Sequence, residues 1–395
     1  MSKSNETTPN VPTLRFAEFA EQWEQKTFDE TFLILSNNTL SRAELNYENG
    51  NYKNIHYGDV LIKFSTFIDV SSPDVPYIND ENSSSKLDNI LLQDGDIIIA
   101  DTAEDFTVGK ATEVENIDGI KVVSGLHTIP CRPKIKFSPR YIGYYVNSPA
   151  YHNQLIPFIQ GVKVSSISKT LIKKTFVSFP SLSEQTKIAD FLSCLDKKIE
   201  TQNKIISKYE TLIKGICDTL FTETEENVLP LKAIASIDKG QQINGLSLAK
   251  TGTYYYLNGG ITPSGYVDDY NTSENTIAIS EGGNSCGFVS YNTQKFWSGG
   301  HCYTLKIKST QCRSKFLFFY LKYREKDIMQ LRVGSGLPNI QKKSLENFVV
   351  PLPTFEKQCY IERILESITA KKEIETALLG QFQSQKKFLL SKMFI

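Results

Sequence analysis

At 395 residues, with 40% hydrophobic and 22% charged side chains, the chain has room for two to four domains at roughly 100–200 residues each. Its 44 Lys and Arg cancel its 44 Asp and Glu, which speaks against a protein that is basic all over, as many nucleic-acid binders are. The seven scattered cysteines include no C-x-x-C pair, which argues against a zinc site or a disulfide framework. With no signal core in "MSKSNETTPNVP" and no run of apolar residues long enough for a bilayer, a cytoplasmic protein without membrane contact is expected.

The charge is unevenly spread. Residues 21–118 hold 20 acidic residues, Lys121–Pro180 holds nine basic and no acidic ones, and Lys295–Lys343 holds eleven basic and two acidic ones. A neutral chain built this way can still hold phosphates locally, and a merely solvated surface would give the same pattern. Along the chain, "DVLIKF" and "GDIIIA" are expected as short strands bounded by Gly and Asp. "SPRYIGYYVNSP" is expected as a helix capped by Ser138, with Pro139 at its first position and a stop before Pro149.

From Ile188 the apolar positions run 188, 192, 195, 199, then Gln202, then 206, 209, 213, 216 and 220. These alternating steps of four and three form a heptad seam. With Ser183 as N-cap, a helix from Glu184 to Phe221 would be about 57 Å long. "TIAIS" and "YTLKIK" are the expected strands of the next block. A second seam then runs 361, 365, 368, 372, 375, 379, 382, 386, 389 and 393, interrupted by Lys372, Glu375 and Lys386. Polar residues in a seam cost stability and fix register and partner. Two seams of equal length suggest pairing within the chain; surface amphipathic helices on globular cores are the alternative. The two intervening blocks look α+β, each a twisted sheet with a few helices.

The chain also repeats itself. A shift of 173 sets Gly161 on Gly334, Ile167 on Ile340, Pro180 on Pro353, Gln185 on Gln358, Ile188 on Ile361 and Phe221 on Phe394. "SGLH" (Ser124–His127) falls on "SGGH" (Ser298–His301), and Tyr145 on Tyr320, with shifts of 174 and 175. The period is too long for a solenoid unit and describes two whole domains, each followed by a helix. Residues before about 121 align poorly with residues 227–295.

Catalytic patterns do not hold together. "GNSCG" (Gly283–Gly287) fits G-x-S-x-G, but the strand-like "FVSY" follows where a nucleophile elbow needs a helix. "SISK" (Ser166–Lys169) loses its serine in the second copy. His301 and Cys302 are neighbours on an expected strand and so face opposite ways. His127 and His301 recur at matched positions and are read as structural or backbone-orienting. No phosphate loop and no metal-spaced cluster occurs, so neither cofactor nor metal is expected.

The runs "LRFAEFAEQWEQKTFDE", "DGDIIIADTAEDFTVGKAT" and "NGGITPSGYVDDYN", with the repeated loop, proline turn and long helix of "GVKVSSISKTLIKKTFVSFPSLSEQTKIADFL" and "GSGLPNIQKKSLENFVVPLPTFEKQCYIERIL", resemble the specificity subunit of type I restriction–modification enzymes over nearly the whole chain. The second turn departs from the family's usual P-x-x-E-Q, running Pro353 to Gln358 with one residue more. The resemblance implies two target-recognition domains, at 12–180 and 227–353. Long spacer helices at 181–226 and 354–395 would pair antiparallel. Each domain would read half of a split double-stranded DNA target, with two methyltransferase subunits and motor–nuclease restriction subunits attached and no catalysis in this chain. The basic segments then offer Arg132, Lys163, Lys169, Lys173 and Lys174 in the first domain, and Lys295, Arg332, Lys342 and Lys343 in the second, mainly to phosphates. Arg42 and Tyr266 are the expected base contacts. Two other functions remain open at this point: a hydrolase or nuclease using "GNSCG" or the His301–Cys302 stretch, and a coiled-coil scaffold that binds no DNA.

Overall fold

The computed structural model describes residues 10–79, 85–161, 163–222, 227–245, 248–334 and 336–395. The chain divides into two compact units: residues up to Thr201 together with Leu379–Ile395, and Gln202–Leu378.

The first unit is built on a five-stranded sheet in the order Phe32–Ile34, Thr128–Pro133, Ile97–Ala100, Ala111–Glu115, Phe67–Asp69. Its central strand is buried on both faces, as an uninterrupted apolar run requires. Ile97 and Ile99 enter the core beneath the helices, whereas Ile98 and Ala100 enter a second core with Ile55, Val60 and Val122. A smaller sheet runs Val122–Ser124, Lys53–Ile55, Tyr77–Ile78, Leu45–Asn46, with its first two strands parallel.

Two local expectations are corrected here. "DVLIKF" is helical, not extended: the helix Tyr57–Ile62 opens on His56, whose Nδ1 accepts the Gly58 amide at 3.2 Å. Val60 and Phe64 are buried four apart while Ile62 is 88% exposed, a helical spacing that the short apolar run concealed. In "SPRYIGYYVNSP" the helix is Tyr141–Val146, and Ser138 is not its cap. Ser138 Oγ donates to the Leu182 carbonyl at 2.9 Å instead. The helix amides of Arg140 and Gly143 go to the buried Glu113 carboxylate, at 2.6 and 2.9 Å. The expected stop holds, and a new helix, Pro149–Leu155, starts behind the Ser148 cap.

The second unit repeats this plan although its sequence has drifted. Its main sheet runs Ala235–Lys239, Cys302–Ile307, Thr276–Ser280, Val289–Asn292, strand for strand the order of the first four above. Ile277 and Ile279 face the helix core while Ala278 faces a second core with Leu257 and Phe296. The small sheet, Gly265–Val267, Tyr254–Leu257, Phe296–Ser298, again contains a parallel pair.

The long helices are Leu182–Thr222 and Phe355–Lys392. They start 173 residues apart, and Pro180 to Gln185 spans the same six residues as Pro353 to Gln358, so the two proline turns launch their helices alike. The first begins before the expected Glu184, because the Ser181 carbonyl already accepts the Gln185 amide at 3.0 Å; Ser183 lies inside the first turn and is not the cap. Both turns are locked by the same glutamine. Gln185 donates to the Pro180 carbonyl at 2.9 Å and accepts the Ser138 amide at 3.0 Å. Gln358 donates to the Pro353 carbonyl and accepts the Arg313 amide, both at 2.9 Å.

The helices pair antiparallel. In the first unit Ile188, Leu192 and Leu195 share a core with Leu389, Met393 and Phe394. In the second, Cys217 and Phe221 share one with Ile361 and Leu365. The seam's polar interruptions find partners on the opposite helix: Lys386 pairs with Asp196 at 2.5 Å, Lys372 with Glu210 at 3.7 Å, and Glu375 with Gln202. Phe394 packs against the rings of Trp23, Tyr141 and Tyr145. Phe221 does the same among Phe316, Tyr320 and Tyr323.

Candidate nucleic-acid interface

Each domain has a corner where its two sheets meet, and the repeated S-G-x-H builds it. In the first, Ser124 accepts the Asn38 amide at 2.8 Å, Gly125 donates to Ile55 at 2.9 Å, and the His127 carbonyl accepts the Asp101 amide at 3.1 Å. In the second, Ser298 accepts from Gln241 at 2.8 Å, Gly299 donates to Leu257 at 2.8 Å, and the His301 carbonyl accepts from Glu281 at 2.9 Å. Space at both glycines is tight. A Cβ on Gly125 would stand 2.6 Å from Asn54 Nδ2, and one on Gly299 2.4 Å from Asn258 Oδ1.

The histidine backbones therefore do orient the chain, as expected, and their rings stay exposed, that of His127 resting edge-on against Tyr57 with Thr102 Oγ1 3.4 Å from Nδ1. The His127 side chain is 47% exposed, with Nδ1 3.4 Å from Asp101 Oδ1; that of His301 is 63% exposed, with Nδ1 3.6 Å from Glu281 Oε2. The two carboxylates directly follow the central strands, in "IIIAD" and "IAISE". That placement is the legible signal which reading for basic residues alone overlooks. Lys239 donates to Glu281 Oε1 at 2.6 Å and Tyr303 donates to it at 3.0 Å, so the second carboxylate is held from three sides.

Among the described residues the nucleophile candidates bond backbone carbonyls rather than a base. Ser285 Oγ donates to the Gly259 carbonyl at 2.6 Å, Cys286 Sγ to Glu281 at 3.0 Å, and the strand Val289–Asn292 follows where an elbow needs a helix. Cys302 is buried behind exposed His301, and burial pushes its thiol up to about 11. Among the described residues no group of three or more His, Cys, Asp or Glu could hold a metal ion, and no helix is long and apolar enough to cross a membrane.

Against this corner lies the repeated glycine loop. Gly161 and Gly334 carry φ of +108° and +98°, which favour glycine. Six residues on, Ile167 donates its amide to the Asp101 carbonyl at 2.9 Å, and Ile340 to that of Glu281 at 2.8 Å. Short helices follow, Lys169–Ile172 and Lys342–Glu346. This arrangement gathers Lys163, Lys169, Lys173 and Lys174 on one loop and helix, and Arg332, Lys342 and Lys343 on its counterpart, all exposed. Lys169 reaches Asn37 Oδ1 at 3.2 Å, Lys173 pairs with Asp29 at 2.8 Å, and Lys342 stands 3.9 Å from Glu346.

The remaining candidates are placed differently. Arg42 makes a two-pronged bond, both arms 2.8 Å, to the buried Asp59. Arg132 grips the buried Asp96 at 2.9 and 2.7 Å in a cleft also lined by Asp94, Glu113 and Glu115. Both guanidiniums are engaged with the fold. Lys295 bonds the Tyr270 hydroxyl at 3.1 Å and lies over its ring. Tyr266 is half-buried in the strand Gly265–Val267.

The model of the type I restriction modification DNA specificity domain matches residues 20–211 and, a second time, 224–382. A Methanocaldococcus jannaschii protein, provisionally named the type I restriction enzyme MjaX specificity subunit, is 23% identical over 97% of this chain and 95% of its own. A Mycoplasma pneumoniae protein, provisionally named a type I specificity subunit, is 34% identical over 31% of this chain and 32% of its own. The crystal structure of the type I restriction–modification system S subunit from M. genitalium shares the fold with a TM-score of 0.65, at 18% identity over 98% of this chain and 99% of that one. With both of its halves matched by one family model and the duplicated architecture already evident, the chain belongs to the type I restriction–modification DNA specificity family.

Proposed function

We propose that this protein reads a bipartite double-stranded DNA target, one half per domain, and directs two methyltransferase subunits and motor–nuclease restriction subunits to it without catalysing a reaction itself. The observation that carries this reading is the combination of one repeated framework with unlike surfaces. Sheet order, S-G-x-H corner and glutamine-locked helix start recur in both units, while the segments 21–118 and 227–295 differ. A duplicated binder of this kind meets two half-sites as a dimer does, and unlike surfaces call for unlike half-sites. The domains are 12–180 and 227–353, the spacers 181–226 and 354–395. Lys163, Lys169, Lys173, Lys174, Lys295, Arg332, Lys342 and Lys343 serve phosphates. Arg42, Arg132 and Tyr266 remain candidate contacts, the two arginines through whatever their carboxylate partners leave free. Seven free thiols fit a cytoplasmic setting.

The test is to exchange residues 227–353 for those of a relative and map methylated sites after assembly with the partner subunits. One half of the methylated sequence should change and the other stay. A swap that altered both halves together would end the two-reader model.

A further inference from the structure

The imidazoles of His127 and His301 recur at matched positions and stay exposed, 47% and 63%, although that of His127 also rests edge-on against Tyr57 and has Thr102 Oγ1 3.4 Å from Nδ1. We infer that each is a phosphate-contacting residue, one per half-site, held in place by Asp101 and Glu281; the inference rests on the DNA-reading function proposed above. Three observations converge on it. Each ring sits at the corner where both sheets and the repeated glycine loop meet. Each has Nδ1 near a carboxylate, 3.4 Å away in one case and 3.6 Å in the other, a contact that biases the ring's orientation, and a ring carrying both N–H groups then presents Nε2–H to an external acceptor such as a phosphate oxygen. Each lies in the domain that carries a lysine at the equivalent loop position, Lys169 and Lys342.

The choice of phosphate over base follows from the repetition. Two half-sites that differ in sequence share no base pattern, but they do share the phosphodiester backbone. Contacts to that backbone set register and orientation on the duplex and carry no sequence information directly. A feature kept at matched positions while its surroundings diverge fits what is common to both sites. His127 also adopts φ +54°, in the left-handed region that Asn, Asp and His enter more readily than other side chains.

The substitution His127→Asn tolerates the left-handed backbone and can still bond Asp101, so folding is preserved while the reach of the ring is lost; His301→Asn is its counterpart. Each variant is assembled with its methyltransferase subunits and tested on target duplexes carrying a neutral methylphosphonate at one backbone position at a time. Wild-type complex should lose about tenfold in affinity when one particular phosphate of a half-site is neutralised. His127→Asn should bind the unmodified duplex about tenfold more weakly and be indifferent to neutralising that phosphate. His301→Asn should behave likewise at one phosphate of the other half-site, and methylation mapping should return the wild-type sequence for both. Variants that keep the full wild-type sensitivity at every phosphate, or that methylate a changed sequence, would overturn the inference while leaving the two-reader model standing. Failure of the wild-type complex to bind any duplex would instead sink the DNA-reading function itself.

Discussion

Gln202 donates its side-chain amide to the backbone carbonyl of Glu375 at 3.0 Å and also meets its carboxylate. The two residues are 173 positions apart, so each is the other's equivalent in the repeat. An antiparallel helix pair in which equivalent residues meet is self-complementary, as an isologous interface is. The pair is also a point of register, because any slip of one helix takes both partners out of reach.

Replacing Gln202 by Leu should therefore cost about 1 kcal/mol, since Glu375 loses a nearly buried partner. The double change Gln202→Leu with Glu375→Leu should recover that loss or exceed it, at the expense of a fixed register. A double-mutant cycle from urea unfolding measures the coupling. Additive effects of the two changes would show that the contact does not pin the helices.

Lys173 and Lys174 are exposed, and among the described residues Lys173 alone has a carboxylate neighbour, Asp29. Replacing both by Ala should weaken DNA binding by the assembled complex on every sequence tested. The slope of log affinity against log salt should become shallower by about one to two. A slope that does not move would place this helix away from the backbone.

Glu113 supplies a pH dependence of stability. Burial pushes its carboxyl up to about 7, against the opposing pull of the Arg140 and Gly143 amides. With a folded pKa above the ordinary 4.5, the folded chain binds more protons than the unfolded one between these values. Stability is then fully present below about 4.5 and is lost as pH rises through about 7, by an amount on the order of 3 kcal/mol. Glu113→Gln cannot ionise, and its amide nitrogen must face one of the two helix amides. It should melt lower than wild type at pH 5, with the gap narrowing by pH 8. Melting curves for both proteins across that range decide it; parallel pH profiles would remove Glu113 from the explanation.

Phe394 is 4% exposed among three aromatic rings, and Phe394→Ala should cost about 3–5 kcal/mol. Hydrogen exchange should quicken in strands 97–100 and 128–133 more than in 276–280 and 302–307. Equal loosening in both sets would contradict the assignment of this residue to the first unit.

The framework was legible wherever one local period decides structure. The heptad seams, the strands Ile97–Ala100 and Thr276–Ser280 and the proline turns follow from spacing alone. "DVLIKF" misled because six residues cannot separate a period of 2 from one of 3.6, and the His56 cap that settles it is not a usual cap residue. Lys372, Glu375 and Lys386 were legible as polar positions that fix register and partner, but their partners Glu210, Gln202 and Asp196 were not, since these stand on the other helix, far away in sequence. The candidate site was legible as charge but not as availability. Nothing near Arg42 or Arg132 in sequence announces that Asp59 and Asp96, 17 and 36 residues distant, already engage them.

The place of residues 379–395 in the first unit bears on how the protein is made. These residues fill the core beneath Trp23 and Tyr145, and the Lys392 carbonyl accepts the Leu14 amide at 2.9 Å. At 5–20 residues per second, a ribosome that has finished Thr201 needs roughly 10–40 s more to reach Leu379 and beyond. Through that interval the first unit must wait with part of its aromatic core open, while the second, whose residues run without a break from Gln202 to Leu378, can close first. The domain that is synthesised first is completed last, and its unfinished surface is where a chaperone or a protease would meet the nascent chain.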